Sequence, residues 1–337
     1  MATRVQHHDC GSFEDEGKTT GRRQGDNVIS MQTTKLNNLT ATVGFIGLGL
    51  MGSRLARRLD SFGWRVRAWN RSPEPAEQLS KWGLAIAPSI ADLVTGSDVI
   101  LSSLANDDAV RSVYFDKSGV FSVAKPGTII LEMSTISPGL SRQLHQEAST
   151  RGVKLLDVAI SGSTPAVDAG TVTLLAGGDK ETFEQCVPIF HSIARQWFLI
   201  GPGSSGVQMK LVVNLLLSLD MQGLAEAVSL GDHLQIDRNI LLHVLSKTAV
   251  IAPAMAGKIA KIKDGDYSPE FPLRLMSKDM DLVMDAAKES GAELPAASIA
   301  QSLLASGVSA IGDLDIAAIA PSELRRIFLH PARNPSE

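Results

Sequence analysis

The sequence predicts an α/β domain with a mostly parallel, doubly wound sheet, followed by an all-helical domain that one long helix joins to it. From Thr42 to about residue 200, short apolar runs alternate with amphipathic stretches. This alternation of strands and helices is typical of a parallel sheet that is covered on both faces. After the turn at residues 201–203, strand-like runs cease and helix-period segments separated by prolines follow.

Each predicted element rests on its own apolar pattern. The predicted strands are residues 43–46, 65–69, 98–104, 128–133, 154–158, 171–175 and 197–200. The helices predicted between them are residues 53–62, 75–82, 108–115 and 140–151. A helix without internal proline is predicted over residues 206–233, and further helices at residues 239–246, 254–263, 273–290 and 296–306. We therefore expect a disordered leader at residues 1–40, an α/β domain at 41–203, a helical domain at 204–330 and a frayed tail at 331–337.

Composition excludes several classes of function. The chain has 337 residues, 44% of them hydrophobic, and its net charge of −4 gives no reason to expect nucleic acid as a partner. Two cysteines and seven scattered histidines form neither a disulfide framework nor a metal-ligand pattern, so we expect no metal. No stretch approaches the roughly 20 apolar residues of a membrane span, so we expect no membrane partner. The leader lacks a secretory signal and carries several acids, which favours a cytoplasmic protein, with mitochondrial import as the alternative.

A glycine-rich loop links the first predicted strand to the first predicted helix. It reads Gly47, Leu48, Gly49, Leu50, Met51 and Gly52, which is the G-x-G-x-x-G pattern. Gly47 permits a tight turn, Gly49 lets a pyrophosphate approach backbone N–H groups, and Gly52 allows close packing of helix on strand. The setting predicts a Rossmann-type dinucleotide site, with a glycine-rich turn of another α/β protein as the alternative.

The end of the second strand indicates which dinucleotide binds. An NAD-binding protein places an acid about 20 residues after the glycines, to bind the ribose 2′-hydroxyl. Here the chain reads Asn70, Arg71 and Ser72, without an acid. Arg71 is suited to the 2′-phosphate through charge-assisted hydrogen bonds, so NADP(H) is favoured over NAD(H). The alternative is that Arg71 is an ordinary surface residue.

The long helix carries the candidate catalytic residues. Lys210 and Asn214 lie four residues apart and so share one helix face, among valines and leucines. A desolvated lysine can exchange a proton near neutral pH, and an amide beside it can orient a substrate oxygen. A surface lysine whose stem lies along apolar neighbours is the alternative.

These features together resemble the β-hydroxyacid dehydrogenase family, which includes 3-hydroxyisobutyrate dehydrogenases, tartronate semialdehyde reductases and glyoxylate/succinic semialdehyde reductases. The resemblance spans residues 43–316. Five segments agree in order: residues 44–52, residues 134–138, residues 157–162 with 166–178, residues 206–214, and Lys278-Asp279.

The resemblance implies hydride transfer between a nicotinamide and a small carboxylate substrate, a hydroxy acid or its aldehyde or keto acid. Lys210 would be the acid/base and Asn214 its helper. Further cofactor contacts would be Leu104, Thr135 and Lys278, and the substrate contacts would be Ser134, Ser161, Gly162 and Ser163. The family likeness also implies a homodimer or homotetramer built through the helical domain.

Several of these assignments have a simpler alternative. Ser134-Thr135 could cap the helix that begins near Pro138, Ser161-Gly162 could be a plain turn, and Lys278-Asp279 could be a solvated helix face. The chain also departs from the family pattern, because Ala105 follows Leu104 and Ser163 replaces a usual glycine. An imine reductase-like enzyme and a non-catalytic NADP-binding scaffold are the rival functions. Imine reductases usually lack a lysine at the position of Lys210, and the scaffold relatives have lost it, so Lys210 argues against both.

Overall fold

The computed structural model describes residues 36–329. Most of the predicted leader and the whole of the predicted tail lie outside the described residues, as does Cys10. The last residues assigned to the leader form a turn in which the Ala41 N–H donates to the Asn37 carbonyl oxygen at 2.8 Å. Leu36 packs against the core of the α/β region, so the last residues assigned to the leader take part in the fold.

Within residues 36–329 the chain builds one sheet of eight strands. They are β1 (Thr42–Ile46), β2 (Arg65–Trp69), β3 (Ala85–Ile86), β4 (Val99–Ser102), β5 (Ile129–Glu132), β6 (Lys154–Ser161), β7 (Val172–Gly178) and β8 (Ala194–Gly201). Their order across the sheet is β3-β2-β1-β4-β5-β6-β7-β8. All neighbouring strands pair parallel except β6 and β7. The predicted, mostly parallel sheet is therefore confirmed.

The antiparallel pair has a simple physical reason. Only residues 162–171 separate β6 from β7. A parallel crossover needs a dozen or more residues to return the chain to the starting edge of the sheet. The short connection therefore reverses the strand direction at this point.

Eight helices cover the faces of this sheet in the described part of the chain. They are α1 (Gly52–Ser61), α2 (Pro73–Lys81), α3 (Ile90–Thr95), α4 (Asp107–Phe115), α5 (Val120–Val123), α6 (Pro138–Thr150), α7 (Thr164–Ala169) and α8 (Lys180–Ile193). Ser89, Asn106, Ser137 and Asp179 cap α3, α4, α6 and α8 by accepting a hydrogen bond from a first-turn N–H. The cap of α6 is thus Ser137, rather than the Ser134-Thr135 pair.

Alternating side chains of the central strands enter cores on the two faces of the sheet. Phe45, Leu101 and Leu131 belong to one core. Ile100 and Ile130, their neighbours on the same strands, belong to the other. Both faces of the sheet are buried because helices cover a parallel sheet on both sides. Successive residues of a central strand are therefore apolar, and the strand is a continuous apolar run in the sequence.

After β8 the chain is helical as far as it is described. The helices are α9 (Ser205–His233), α10 (Arg238–Lys247), α11 (Pro253–Asp264), α12 (Leu273–Ser290), α13 (Pro295–Ile311) and α14 (Ser322–Leu329), with a 3₁₀ turn at Ile316–Ile319. Pro253 and Pro295 lie in the first turns of α11 and α13, where the missing N–H costs no helical bond. The predicted helical second part is confirmed.

Helix α9 is more apolar than the sequence analysis expects. In residues 36–329 it is the one helix long and apolar enough to cross a membrane, with a mean hydropathy of 1.4 over a stretch that is 44% buried. The expectation that no stretch approaches this limit is therefore wrong. In the fold α9 packs against β6, β7, α12 and α13, so it is the core helix that connects the two regions.

Candidate active site

The loops that carry the predicted ligand contacts follow β1, β2, β4, β5 and β6. Because these strands run parallel, the loops lie at the same edge of the sheet. The chain moves outward from β1 in both directions, to β2 on one side and β4 on the other. Ligands of open α/β sheets bind at such a switch point, outside the carboxyl ends of the strands.

The glycine loop has the shape that a dinucleotide needs. Gly47 has a φ of +91°, which favours glycine, and a Cβ on Gly52 would collide with the carbonyl oxygen of Gly47. At Gly49, by contrast, a Cβ would meet no atom within 4 Å. Two of the glycines are thus required by the protein's own packing, and the third faces open space that suits the pyrophosphate of a nicotinamide dinucleotide.

Asn70 braces this loop from the end of β2. Its Oδ1 accepts a hydrogen bond from the Leu48 N–H at 2.9 Å, and its Nδ2 donates to the Ser72 carbonyl oxygen at 2.9 Å. Arg71 beside it is exposed. Asn70 thus holds the glycine loop in place, and the Arg71 side chain is exposed to solvent beside Asn70.

Ser134 joins the loops after β4 and β5. Its Oγ accepts a hydrogen bond from the Leu104 N–H at 2.8 Å, and its side chain is buried. The family resemblance implies that Ser134 contacts the substrate and that Leu104 contacts the cofactor. The structure shows that the Ser134 hydroxyl ties the two loops together.

The buried carboxyl group of Glu132 holds Ser134 in place. Glu132 Oε1 accepts hydrogen bonds from the Ser134 N–H at 3.0 Å and from Ser102 Oγ at 3.4 Å, while Ser102 lies 2.7 Å from the Tyr114 hydroxyl. Burial raises the pKa of Glu132 and nearby Asp157 adds to the rise, while the hydrogen bonds from Ser134 and Ser102 oppose it; the resulting pKa is about 8. The carboxyl is therefore mostly protonated at neutral pH.

Lys210 lies on α9, where the sheet and the helical region meet. Its side chain is half-buried. Burial lowers the pKa of Lys210 to about 8; nearby Asp279 opposes this shift and Lys278 adds to it. A lysine with this pKa can both give and take a proton close to physiological pH, which suits it to acid/base chemistry.

Asp279 connects a predicted catalytic residue, Asn214, with a predicted cofactor contact, Lys278. Asn214 is fully buried, and its Nδ2 donates to Asp279 Oδ2 at 2.6 Å. Lys278 Nζ lies 2.8 Å from Asp279 Oδ1 and donates to the Thr135 carbonyl oxygen at 2.6 Å. Asp279 is itself buried, so the Lys278-Asp279 pair is not a solvated helix face.

These contacts form three sets within the site. Hydrogen bonds and ion pairs lead from the glycine loop to Asn70, from Leu104 to Ser134, and from Thr135 through Lys278 and Asp279 to Asn214. Lys210 lies one turn before Asn214 on the same face of α9. The contacts of Lys278 and Asp279 thus join the loop after β5 to the predicted catalytic helix.

The Ser161–163 turn lies at the end of β6. Ser161 pairs with Thr173 of β7, and Gly162 has a φ of +151°, where a Cβ would press against Val172. Ser163 precedes α7 without a side-chain cap bond. Because β6 runs parallel to β5, the turn lies at the same edge of the sheet as the loop after β5, and within the described residues no hydrogen bond joins it to Lys210.

Sequence reasoning assigns no role to the carboxylates Glu132 and Asp279, although both belong to this network. Asp279 adjoins Lys278 in a segment singled out for its family resemblance, and that adjacency is a signal. Glu132 lies at the end of an apolar strand, and nothing local marks it. In residues 36–329, no group of three or more His, Cys, Asp or Glu side chains is placed to hold a metal ion.

Comparisons with protein-family models cover both regions. Residues 42–201 match the NAD binding domain of 6-phosphogluconate dehydrogenase. Residues 204–322 match the NAD-binding domain of NADP-dependent 3-hydroxyisobutyrate dehydrogenase.

Individual relatives agree with this. The chain is 30% identical to glyoxylate/succinic semialdehyde reductase 1 of Arabidopsis thaliana, over 82% of this chain and 96% of the relative. It is 34% identical to an NAD-dependent L-serine dehydrogenase of Pseudomonas aeruginosa, over 77% of this chain and 90% of the relative. Among solved structures it is similar to 3-hydroxyisobutyrate dehydrogenase from Salmonella typhimurium, with a TM-score of 0.76 and 26% identity, covering 83% of this chain and 99% of the other.

The fold, the dinucleotide loop and these relatives define a nicotinamide-dependent oxidoreductase. The similarity extends through both regions and over nearly the full length of the relatives. The chain belongs to the β-hydroxyacid dehydrogenase family, and it is an NAD(P)-dependent hydroxyacid dehydrogenase or reductase.

Proposed function

We propose that this enzyme uses NADP(H) to interconvert a small hydroxy acid with its aldehyde or keto acid, and that Lys210 exchanges the proton. The observation that carries the proposal is the setting of Lys210. It is half-buried on α9, its pKa is lowered to about 8, and Lys278 and Asp279 of α12 lie beside it. A surface lysine with a solvated ammonium group would keep its ordinary pKa.

The protein's task is to manage one proton and to hold the substrate. Bound nicotinamide supplies or accepts the hydride at the substrate carbon. In reduction, the Lys210 ammonium donates a proton to the carbonyl oxygen, and in oxidation the neutral amine takes the proton from the hydroxyl. A pKa of about 8 makes both forms accessible near neutral pH.

Asn214 orients the oxygen that reacts. Its Nδ2 is committed to Asp279, which fixes the plane of the amide. Its Oδ1 is buried and accepts no hydrogen bond within the described residues. A buried acceptor without a partner is costly, so the Lys210 ammonium or a substrate hydroxyl is the expected donor when the site is filled.

The substrate carboxylate belongs at the Ser161–163 turn. A turn that combines hydroxyl groups with backbone N–H groups at a strand end is suited to an anion. The Ser163 hydroxyl accepts no cap hydrogen bond from the first turn of α7, and it can donate one to a carboxylate. We therefore infer a small carboxylate substrate whose reacting carbon lies between this turn and Lys210.

The preference for NADP(H) rests on Arg71. Its guanidinium is exposed beside the loop that Asn70 braces, and no acid stands at the end of β2 to bind a ribose 2′-hydroxyl. A guanidinium can bind the 2′-phosphate of NADP through two parallel hydrogen bonds.

A homodimer or homotetramer through the helical region is part of the proposal. Val212 and Leu216 on α9 are 59% and 62% exposed, and Ile299 on α13 is 64% exposed. Apolar side chains one turn apart on a helix form a continuous strip, which a second copy would remove from water. Light scattering of the wild type, and of a variant with both Val212 and Leu216 replaced by serine, tests this part.

The experiment follows NADPH and NADH oxidation by absorbance against glyoxylate, succinic semialdehyde, tartronate semialdehyde and methylmalonate semialdehyde. Wild type is compared with Lys210→Ala and with Lys263→Ala, a control that removes an exposed lysine of α11. We expect turnover of one of these aldehydes with NADPH, loss of that rate in Lys210→Ala with NADPH binding retained, and no change in Lys263→Ala.

If the wild type binds NADPH and reduces none of the four, the proposed substrate class is wrong. Turnover of a cyclic imine would then favour the imine reductase-like alternative. If it reduces no imine either, the non-catalytic NADP-binding scaffold becomes the better account.

A further inference from the structure

The amino end of the catalytic helix is held by a side chain from another element. Helix α9 begins after Ser204, which has a left-handed φ of +77° and makes no side-chain cap bond to the helix. The first N–H groups of a helix need acceptors, and a helix end without them is unstable when buried. The acceptor here is Asp157, in the middle of β6.

Asp157 is 1% exposed and fully engaged. Its Oδ1 accepts a hydrogen bond from the Ser204 N–H at 2.7 Å, and its Oδ2 accepts one from the Val207 N–H at 2.8 Å. Oδ1 also lies 2.7 Å from Nε2 of His145 on α6. A carboxylate at this end also interacts favourably with the helix dipole.

The surrounding backbone leaves α9 no room to move toward the sheet. A Cβ on Gly177 would lie 2.8 Å from the backbone nitrogens of Ser205 and Gly206. A Cβ on Gly206 would lie 2.5 Å from the Leu175 carbonyl oxygen and 2.7 Å from that of Asp157. The helix start therefore rests directly on β6 and β7, and Asp157 fixes it there.

Lys210 follows Val207 by three residues, about 4.5 Å along the helix axis. A rotation or a shift of the helix start is thus transmitted to the Lys210 side chain within one turn. A displacement of about 1 Å at a reacting group can cost on the order of 100-fold in rate.

We propose that Asp157 is a positioning residue: held in place by His145, it fixes the amino end of α9 and so determines where Lys210 lies relative to the substrate. This proposal rests on the proposed function of Lys210. Asp157 itself does not contact the reacting atoms. It acts through the helix.

The test compares Asp157→Asn with Asp179→Asn. Asp179 caps α8, where its side chain accepts the Thr182 N–H at 2.8 Å, and it lies outside the site. Each substitution removes a carboxylate from a helix start. In Asp157→Asn the new amide NH₂ group faces a backbone N–H donor, so one of the two bonds to α9 is lost.

Four quantities are measured in both variants. They are kcat, the primary isotope effect with NADPH deuterated at the transferred position, the NADPH dissociation constant, and the pH midpoint at which acetic anhydride labels Lys210. The last readout is made by mass spectrometry and needs no turnover. Asp279 and Lys278 are the charged groups that act on Lys210, so a moved midpoint in Asp157→Asn reports a displaced lysine.

We expect Asp157→Asn to lower kcat by about 10- to 100-fold, to raise the isotope effect and to move the labelling midpoint of Lys210, with little change in NADPH affinity. Asp179→Asn should lower Tm alone. If both variants lower Tm while the midpoint and the isotope effect of Asp157→Asn equal those of wild type, Asp157 is only a structural cap and the proposal is overturned.

A second variant tests the proposal if Asp157→Asn does not fold. If Asp157→Asn is insoluble, His145→Gln replaces it, because it keeps the carboxylate and weakens its support; a moved Lys210 midpoint supports the proposal and an unmoved one overturns it. If wild type reduces no aldehyde, the proposed function fails, whereas the labelling midpoint still decides whether Asp157 positions Lys210.

Discussion

The α/β region and the helical region contribute different kinds of group to the same site: the first contributes mainly backbone, and the second contributes side chains. In the α/β region, the cofactor loop consists of glycine backbone, and Gly47 and Gly52 are required by steric contacts within the protein. In the helical region, the reacting end consists of ionisable and amide side chains that hold one another, with Asn214 and Asp279 buried and Lys210 half-buried.

The two halves are therefore sensitive to different changes. A backbone site fails when an added atom moves the chain, and its failure does not depend on pH. A site of buried ionisable groups fails when a charge or a proton is lost, and its behaviour changes across the pH range in which those groups titrate. Substitutions can therefore separate binding from chemistry.

The largest effect on the backbone half is expected from Gly52→Ala, with Gly49→Ala as its matched partner. The Gly52 Cβ would collide with backbone, so the loop must shift, and we expect NADPH to bind about 100-fold more weakly or worse, with a lower Tm. At Gly49 the protein offers no obstacle, so Tm should stay unchanged while NADPH binds about tenfold more weakly. Fluorescence titration measures the NADPH affinity of each variant, and thermal unfolding measures its Tm. Normal NADPH affinity in Gly49→Ala would contradict close approach of the pyrophosphate there.

Arg71→Ala should have the next largest effect, and only on one cofactor. Hydrogen bonds to charged groups contribute roughly 1.5 to 3 kcal/mol, so NADPH should bind about 10- to 100-fold more weakly, with NADH unaffected. The control is Arg65→Ala, which removes an exposed arginine from the other end of β2. Equal losses for NADPH and NADH, or equal losses in both variants, would show that Arg71 does not bind the 2′-phosphate.

The helical half should respond to pH in opposite ways for the two reaction directions. Since the pKa of Lys210 is about 8, the ammonium needed for reduction is present below that pH and is lost above it. The kcat/KM for reduction should be flat below about pH 8 and fall tenfold per unit above it, while oxidation should fall below about pH 8. Profiles in both directions measure this. A reduction rate that rises from pH 7 to 9.5 would be incompatible with a proton donated by Lys210.

Much of this arrangement is predictable from sequence because its signals are local. The apolar runs indicate the parallel strands, and the glycine spacing after β1 indicates the loop. The two-residue β3 is missed because Ala85 and Ile86 are too few to show a period. Helices α3 and α7, of six residues each, are missed for the same reason.

The supporting carboxylates escape sequence reasoning for a different reason. Asp157 and Glu132 stand in strands that otherwise read as apolar, and each acquires its role from distant residues: Ser204 and Val207 for Asp157, and Ser102 for Glu132. Their partners lie up to 50 residues away in sequence, which no local pattern reveals. Lys210 and Asn214 are visible because they share one helix face.

The smallest effect on activity is expected from Glu132→Gln, which should act on stability. The pKa of Glu132 is raised in the folded protein, so its contribution to the free energy of unfolding is complete below the unfolded value and is lost as pH rises toward about 8. The neutral glutamine does not titrate. The Tm of wild type should therefore fall by several degrees relative to that of Glu132→Gln between pH 5 and 8.

The control for this prediction is Glu147→Gln, which changes a partly exposed carboxylate on α6. Its Tm should keep a nearly constant difference from that of wild type over the same range. A constant difference for Glu132→Gln as well would mean that the buried carboxyl is ionised at neutral pH.

Whether Lys210 supplies the proton can be tested by chemical rescue. In Lys210→Ala, reduction of the best aldehyde should be slower by about 100- to 10,000-fold, with NADPH still bound. Added primary alkylamines should restore part of the rate in proportion to their concentration and in an order set by amine pKa, while tetramethylammonium, which has no proton to give, should not. A kcat for Lys210→Ala within a few-fold of wild type, or a rate that tetramethylammonium restores equally well, would show that Lys210 does not supply the proton.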